Sequence, residues 1–287
     1  GVELQYLDAN GVKQTTGPGL MTTYSSAATT TVQFTGLNFY VPMNDSSDVT
    51  VLVNTPTIAS GGNVAGTKIQ VALNRSTNFQ AVNSAGTAST TAFASTNPIS
   101  YGTAGYGTLV LHKTVPAFLG QSYSTSATPT SGSDMYDFTI SADTAGPVEI
   151  DGLAFNTATS TMSASGFQLF DQANPSVALN ATGVNADNNG NVKIVPDQVI
   201  SIPAGSSKTF SLKAATISGW ASGASIVVKF ATPSSTWYAG TTASGVAGNG
   251  YVWSDRSATS HSTSTSDWFN GYLLRDLVSG VYSYTHS

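Results

Sequence analysis

The chain of 287 residues contains no cysteine. Disulfides, thiolate metal sites and cysteine nucleophiles are therefore excluded. Charge is also scarce: Asp, Glu, Lys and Arg make up 9% of the residues, against roughly 25% in an average soluble domain. What charge there is leans acidic, with a net −5 and a pI of about 4.9. That balance speaks against nucleic acid, whose binders carry a basic footprint, and against an anionic membrane surface. No apolar run reaches the ~18 residues of a membrane-spanning helix, so membrane insertion is not expected. Histidine is limited to His112, His261 and His286. They are scattered, and without cysteine they offer no convergent zinc ligand set. His112 follows a strand pattern and reads as a strand-end residue, and His261 falls in a polar loop.

Catalytic signatures are missing as well. Serine is plentiful, but no Gly-x-Ser-x-Gly elbow leads into a helix. The densest acidic group is Asp134, Asp137, Asp143, Glu149 and Asp151. On a strand, Glu149 and Asp151 flank Ile150 on the face away from the core, and they read as a solvated face rather than a glycosidase pair. No catalytic residue is assigned, and enzymatic activity is not expected.

Hydroxyls fill the place of charge. Ser and Thr together are about a quarter of the chain, and 28 glycines accompany them. Thr packs well on a pleated sheet, while Ser and Gly suit turns. Period-2 apolar patterns dominate: Val49, Val51, Val53; Ile69, Val71, Leu73; Phe138, Ile140; Val148, Ile150; Phe167, Leu169; Phe210, Leu212; Ile226, Val228, Phe230. Turn signals such as Asn188-Asn189-Gly190-Asn191 and Pro203-Ala204-Gly205-Ser206 separate them. Regular short strands without a convincing amphipathic helix point to an all-β chain of antiparallel β-sandwiches, Ig-like in character.

The sequence also repeats. Val32-Gln33-Phe34-Thr35-Gly36-Leu37-Asn38-Phe39 matches Val148-Glu149-Ile150-Asp151-Gly152-Leu153-Ala154-Phe155, and the same offset pairs Val51 with Phe167 and Val53 with Leu169. Two tandem sandwiches are expected. The first spans 1–115, a linker marked by Pro116 and Pro129 spans 116–133, and the second spans 134–250. An aromatic C-terminal extension, 251–287, is expected to pack on the second. The chain begins at Gly1 rather than Met, which reads as a processed start.

The extension carries a resemblance. Trp253-Ser254-Asp255-Arg256-Ser257-Ala258, His261-Ser262 and Asp267-Trp268-Phe269-Asn270-Gly271-Tyr272-Leu273-Leu274-Arg275-Asp276-Leu277 resemble the C-terminal signature of secreted, surface-layer-like proteins with tandem β-sandwich repeats from ultra-small bacteria of the candidate phyla. Tyr136–Asp143 and Ile202–Phe210 resemble parts of the repeat unit of that family. Val278-Ser279-Gly280 departs from the Pro-containing final strand of the family. The resemblance implies a surface location and a structural role, and it carries no catalytic residues.

The expected function is therefore a self-assembling subunit of an extracellular filament or surface layer, joined to further copies by β-strand exchange. Val2, Leu4 and Tyr6 of the first strand pattern, and Val281, Tyr282 and Tyr284 of the last, are the donor-strand candidates. The first strand either pairs within its own domain or inserts into the next subunit. An adhesin or carbohydrate-binding module is the alternative, with Trp220, Trp237, Tyr238, Tyr251, Trp253 and Trp268 as a stacking platform, although such rings also suit a core. No cofactor is expected beyond a weak calcium candidate at Asp187, Asn189 and Asn191, where Asn-Gly hairpin chemistry explains the residues without a metal. Asn44, Asn74 and Asn180 fit the N-glycan acceptor pattern.

Overall fold

The structure is a computed structural model. It describes residues 1–19, 32–55, 57–58, 65–71, 81–89, 108–180, 184–187, 190–235, 237–241, 251–272, 274 and 280–286. The chain is all-β, with no α-helix among the described residues. It divides into two units. Unit 1 comprises Gly1–Asn63 and Lys68–Leu109, and unit 2 comprises Val64–Thr67 and Val110–Ser287.

Unit 1 contains β1 (Val2–Leu7), β2 (Lys13–Thr15), β3 (Val49–Val53), β4 (Lys68–Gln70), β5 (Ala81–Val82) and β6 (Ala88–Ser89). β7 (Thr108–Val110) lies where the chain returns to unit 2. β1 is the central strand of an antiparallel sheet in the order β2-β1-β3. Val2, Leu4 and Tyr6 stand opposite Val53, Val51 and Val49, so the six apolar side chains share one sheet face. Asp8 forms the β1–β2 turn expected from Asp8-Ala9-Asn10-Gly11, accepting from the N–H groups of Asn10 (2.9 Å) and Val12 (3.0 Å).

Unit 2 is a two-sheet sandwich. Its strands are β8 (Pro116–Gly120), β9 (Tyr123–Thr125), β10 (Asp134–Ala142), β11 (Val148–Ser160), β12 (Ser163–Asp171), β13 (Asn174–Ala178), β14 (Val184–Asp187) and β15 (Asn191–Ile194). They are followed by β16 (Ile200–Ile202), β17 (Ser207–Ser218), β18 (Ser225–Phe230), β19 (Ala239–Gly240), β20 (Val252–Ser254), β21 (Trp268–Phe269) and β22 (Val281–Thr285). One sheet runs β13-β12-β17-β10-β8, and the other follows the path β19-β21-β20-β11-β18-β22-β9. β11 serves two sets of partners, with β16 and β20 along its first half and β15 and β18 along its second. The change comes at Gly152, where the register against β20 slips. A Cβ at Gly152 would lie 3.1 Å from a Val252 methyl, so glycine permits the close approach.

The apolar alternation of both sheets meets in one core. Phe138 on β10 packs against Phe230 on β18 with ring centroids 5.0 Å apart, and against Phe155 on β11 at 5.6 Å. Ile140, Leu169, Phe210 and Leu212 enter from the five-stranded sheet, and Ile150, Ile226 and Val228 from the larger one. Each fully buried side chain of this size stabilises the fold by roughly 1.5–3 kcal/mol relative to exposure.

Three expectations change. Residues 116–133 are not a linker: β8 pairs with β10, β9 pairs with β22, and Phe118 is buried. Pro116 misled because proline is tolerated at the start of an edge strand, where its missing N–H breaks no ladder. The segment 251–287 is not a layer packed on the second domain, because β20, β21 and β22 are strands of its larger sheet. The repeat is not reproduced at 32–39, which holds an isolated bridge from Phe39 to Asp8, whereas its counterpart 148–155 lies within the long β11. Two facing sheets are therefore observed in unit 2, while the described residues of unit 1 form a three-stranded sheet and small two-stranded pairings.

Candidate functional site

The two donor-strand candidates occupy different settings. β1 is hydrogen-bonded on both sides within unit 1, by β2 and β3. Tyr6 is buried edge-on against Phe39 at 5.7 Å, and its hydroxyl accepts from the Asn38 N–H. Val2 and Leu4 are half-buried. Of the two alternatives for this strand, pairing within its own unit is the one observed.

β22 is wedged between β18, to which it is antiparallel, and β9, to which it is parallel. Its alternation directs Tyr282 and Tyr284 into the sandwich and leaves Val281 exposed. The Tyr282 hydroxyl donates to Asp137 Oδ2 at 2.9 Å, and the Tyr284 hydroxyl donates to the Asp134 carbonyl. In return, Tyr136 donates its hydroxyl to the Gly280 carbonyl at 3.0 Å. Burial raises the pKa of all three phenols, that of Tyr136 and Tyr284 to about 12. They remain neutral donors at physiological pH. A shallow hollow lined by Ser122, Tyr123, Ser124, Val281 and Ser283 marks the outer side of the β9–β22 seam.

The C-terminal signature residues form a second cluster, around β20 and β21. His261 lies between two carboxylates, with Nδ1 2.8 Å from Asp267 Oδ2 and Nε2 2.7 Å from Glu149 Oε2. Each ring nitrogen thus faces a carboxylate oxygen, an acceptor. Arg256 Nε approaches Glu149 Oε1 at 3.3 Å, and Asp267 also accepts from Thr265, Ser254 and the Ala258 N–H. Burial pushes the Asp267 carboxyl up, but these donors and His261 outweigh it and hold the pKa below the usual carboxylate value. The indole N–H of Trp268 donates to the Ser262 carbonyl at 2.8 Å, and that of Trp253 to the Asn270 carbonyl at 3.0 Å. The segment is thus tied to β11 by charge and to itself by its tryptophans.

Next to it, Asp255 is fully buried and accepts from the N–H groups of Lys113 (2.8 Å) and Ser257 (3.1 Å). His112 Nδ1 lies 3.8 Å from this carboxylate and has no hydrogen-bond partner. Burial lowers the His112 pKa to about 4 and raises that of Asp255. Both shifts disfavour charge, so the pair is a close approach with a neutral imidazole rather than an ion pair. The His112 ring sits 4.5 Å from Phe269 and 4.8 Å from Trp253. Gly66, at φ +83°, completes this corner: a Cβ there would come within 3.2 Å of both Phe269 and Trp237.

The remaining candidates separate. Tyr251, Trp253 and Trp268 are buried, and Trp220, Trp237 and Tyr238 are half-buried, with Trp237 stacked on Phe269 at 5.6 Å. They line the core and its margin and do not form an exposed platform. Asn44 sits in an exposed turn at φ 60°. Asn180 is fully buried, accepting from the Leu169 N–H at 2.7 Å and donating to the Phe167 carbonyl, which corrects its reading as a glycan acceptor. Asn74 and Asn189 lie outside the described residues. Asp187 and Asn191 are opposed in the β14–β15 pair, and Asn191 Oδ1 accepts from Asn156 at 2.6 Å. Among the described residues, no group of three or more His, Cys, Asp or Glu is arranged to hold a metal ion.

Sequence reasoning missed the Glu149–His261–Asp267 cluster. Glu149 had the signature of a solvated face, yet Arg256 and His261 cover it. The only local signal was the clustering of Asp, Arg and His within an aromatic segment. No known family model matches the chain, and no curated protein matches it.

Proposed function

We propose that the chain is a structural, non-catalytic subunit of an extracellular filament or surface layer, and that copies of it are joined by exchange of β22. The seat of β22 carries this reading. Both of its sheet neighbours, β18 and β9, are distant in sequence, and β21, the strand before it, is several positions away in the same sheet. No tight hairpin therefore ties β22 to either neighbour. The same strand from another copy can fill the same slot and offer the same tyrosines to Asp134 and Asp137. A head-to-tail contact passed from copy to copy in this way gives a linear or layered assembly where the rotation between copies does not close a ring.

The low-charge Ser/Thr surface supports side-by-side packing, since few ions need desolvation. The resemblance of the C-terminal residues to surface-layer-like proteins supports the extracellular setting. The burial of Tyr251, Trp253 and Trp268 weighs against the carbohydrate-binding alternative.

Cysteine mixing tests the exchange. Ser283 and Ser124 are direct register partners across the β22–β9 seam. Adjacent strands stand about 4.8 Å apart, within disulfide reach, and the chain has no other cysteine. Chains carrying Ser124→Cys are refolded with chains carrying Ser283→Cys and then oxidised. Exchange predicts efficient covalent pairs of unlike chains. If a disulfide forms only when both cysteines are on one chain, β22 stays at home and the proposal fails.

A further inference from the structure

The five-stranded sheet holds a constellation of which the assembly reading uses only Asp137. Ser211 on β17 and Asp137 on β10 are register partners, alternating with the core residues Phe210 and Phe138. Ser211 is 4% exposed, and its hydroxyl donates to Asp137 Oδ1 at 2.7 Å. The Tyr282 hydroxyl fixes the other oxygen of the same carboxylate. On the far side of the serine, Gln172 Nε2 donates to Ser211 Oγ at 2.9 Å. The backbone of Gln172 is pinned as well, because its N–H donates to the Thr209 carbonyl at 2.9 Å. A hydroxyl with a base on one side and a carboxamide on the other has the parts needed for acyl transfer: nucleophile, proton acceptor and acyl donor.

We propose that Ser211 and Gln172 become joined by an ester bond that the protein forms on itself. The Gln172 carbonyl carbon is one bond beyond Nε2. The last torsion of glutamine is broad, so the amide plane can turn to present the face of that carbon to Ser211 Oγ, and a small change in the preceding side-chain torsions closes the gap to the ~3–3.5 Å needed for attack. Asp137 takes the hydroxyl proton as Oγ adds to the carbon. The C–N bond then breaks, Asp137 passes the proton to the departing nitrogen, and ammonia leaves. One C–O bond forms, one C–N bond breaks, nothing is oxidised or reduced, and Asp137 ends ionised as it began. The burial of Ser211 keeps water from the ester, while the exposed position of Gln172 gives ammonia a way out. The product fastens the β12–β13 turn to β17, where Lys208 and Asp171 otherwise contribute a 3.8 Å ion pair. The link joins residues of one chain, whether the Tyr282 that holds Asp137 comes from that chain's own β22 or from another copy's.

Mass spectrometry of the full folded chain tests it. The proposal predicts an intact mass lower than that of the sequence by one ammonia. Trypsin locates the loss: cleavage after Lys208 and Lys213 frees Thr209–Lys213 from an unlinked chain, whereas the ester holds that peptide on the fragment containing Gln172. Hydroxylamine should release it. Ser211→Ala and Gln172→Glu should each abolish the link, and Asp137→Asn should slow its formation about a hundredfold or more, the contribution of a general base. Tryptophan fluorescence confirms that each variant is folded. A folded wild-type chain that keeps its full mass overturns the proposal, as does a lost ammonia with Thr209–Lys213 recovered free.

Discussion

His112 should set an acid limit on the stability of unit 2. Its ring is enclosed by Phe269, Trp253 and Trp237, and burial lowers its pKa to about 4. In the unfolded chain the value is about 6.5. Between those two pH values the unfolded chain binds a proton that the folded chain refuses, so stability falls as pH drops through this window. A gap of about 2.5 units at about 1.4 kcal/mol each amounts to about 3 kcal/mol. Asp255 works in the opposite sense, because its raised pKa lets the folded state take up a proton first at the acid end. His112→Leu removes the histidine contribution and leaves Asp255 in place. All four tryptophans lie in unit 2, so indole fluorescence during urea unfolding reports on that unit. Between pH 7 and pH 4 the wild type should lose about 3 kcal/mol more than the variant. Parallel curves would refute the assignment of a buried neutral imidazole.

Other perturbations follow from the same contacts. His261→Ala leaves the largely buried carboxylates of Glu149 and Asp267 without the ring that bridges them and should cost about 3–5 kcal/mol at pH 7 by urea unfolding. Because the Asp267 pKa is held down, the stability it contributes is present above about pH 4 and lost as pH falls through its folded value. The effect of His261→Ala should therefore shrink at pH 3. Phe230→Ala opens a cavity where Phe138, Phe155 and Tyr136 meet and should cost about 3–5 kcal/mol, read as a fall in the unfolding midpoint. Asn180→Ala strands the Leu169 N–H in the interior and should cost about 1–3 kcal/mol. In a glycosylating host, glycopeptide mapping should find Asn180 unmodified.

The all-β fold was legible because period-2 alternation is local. Phe138 and Ile140, Phe210 and Leu212, and Ile226, Val228 and Phe230 all face the core, as their spacing predicts. Pro203-Ala204-Gly205-Ser206 likewise forms the turn between β16 and β17, with Gly205 at φ 67°. What could not be read depends on partners far away in sequence. Glu149 looks solvated until His261, 112 residues later, folds over it. Asn180 looks like an acceptor site until its amide is seen closing onto the backbone of β12. The Pro- and Ser-rich run at 116–133 has the composition of a linker, and only its pairing with β10 and β22 makes it strand. Ser211, Asp137 and Gln172 come from three separate segments and share no motif.

Under the proposed function, this chain builds an assembly of its own copies. Negative-stain microscopy of the purified protein, with the mass of the particles measured in parallel, tests it most directly. Regular fibres or sheets of repeating subunits are expected. A monodisperse monomer at high concentration would contradict it.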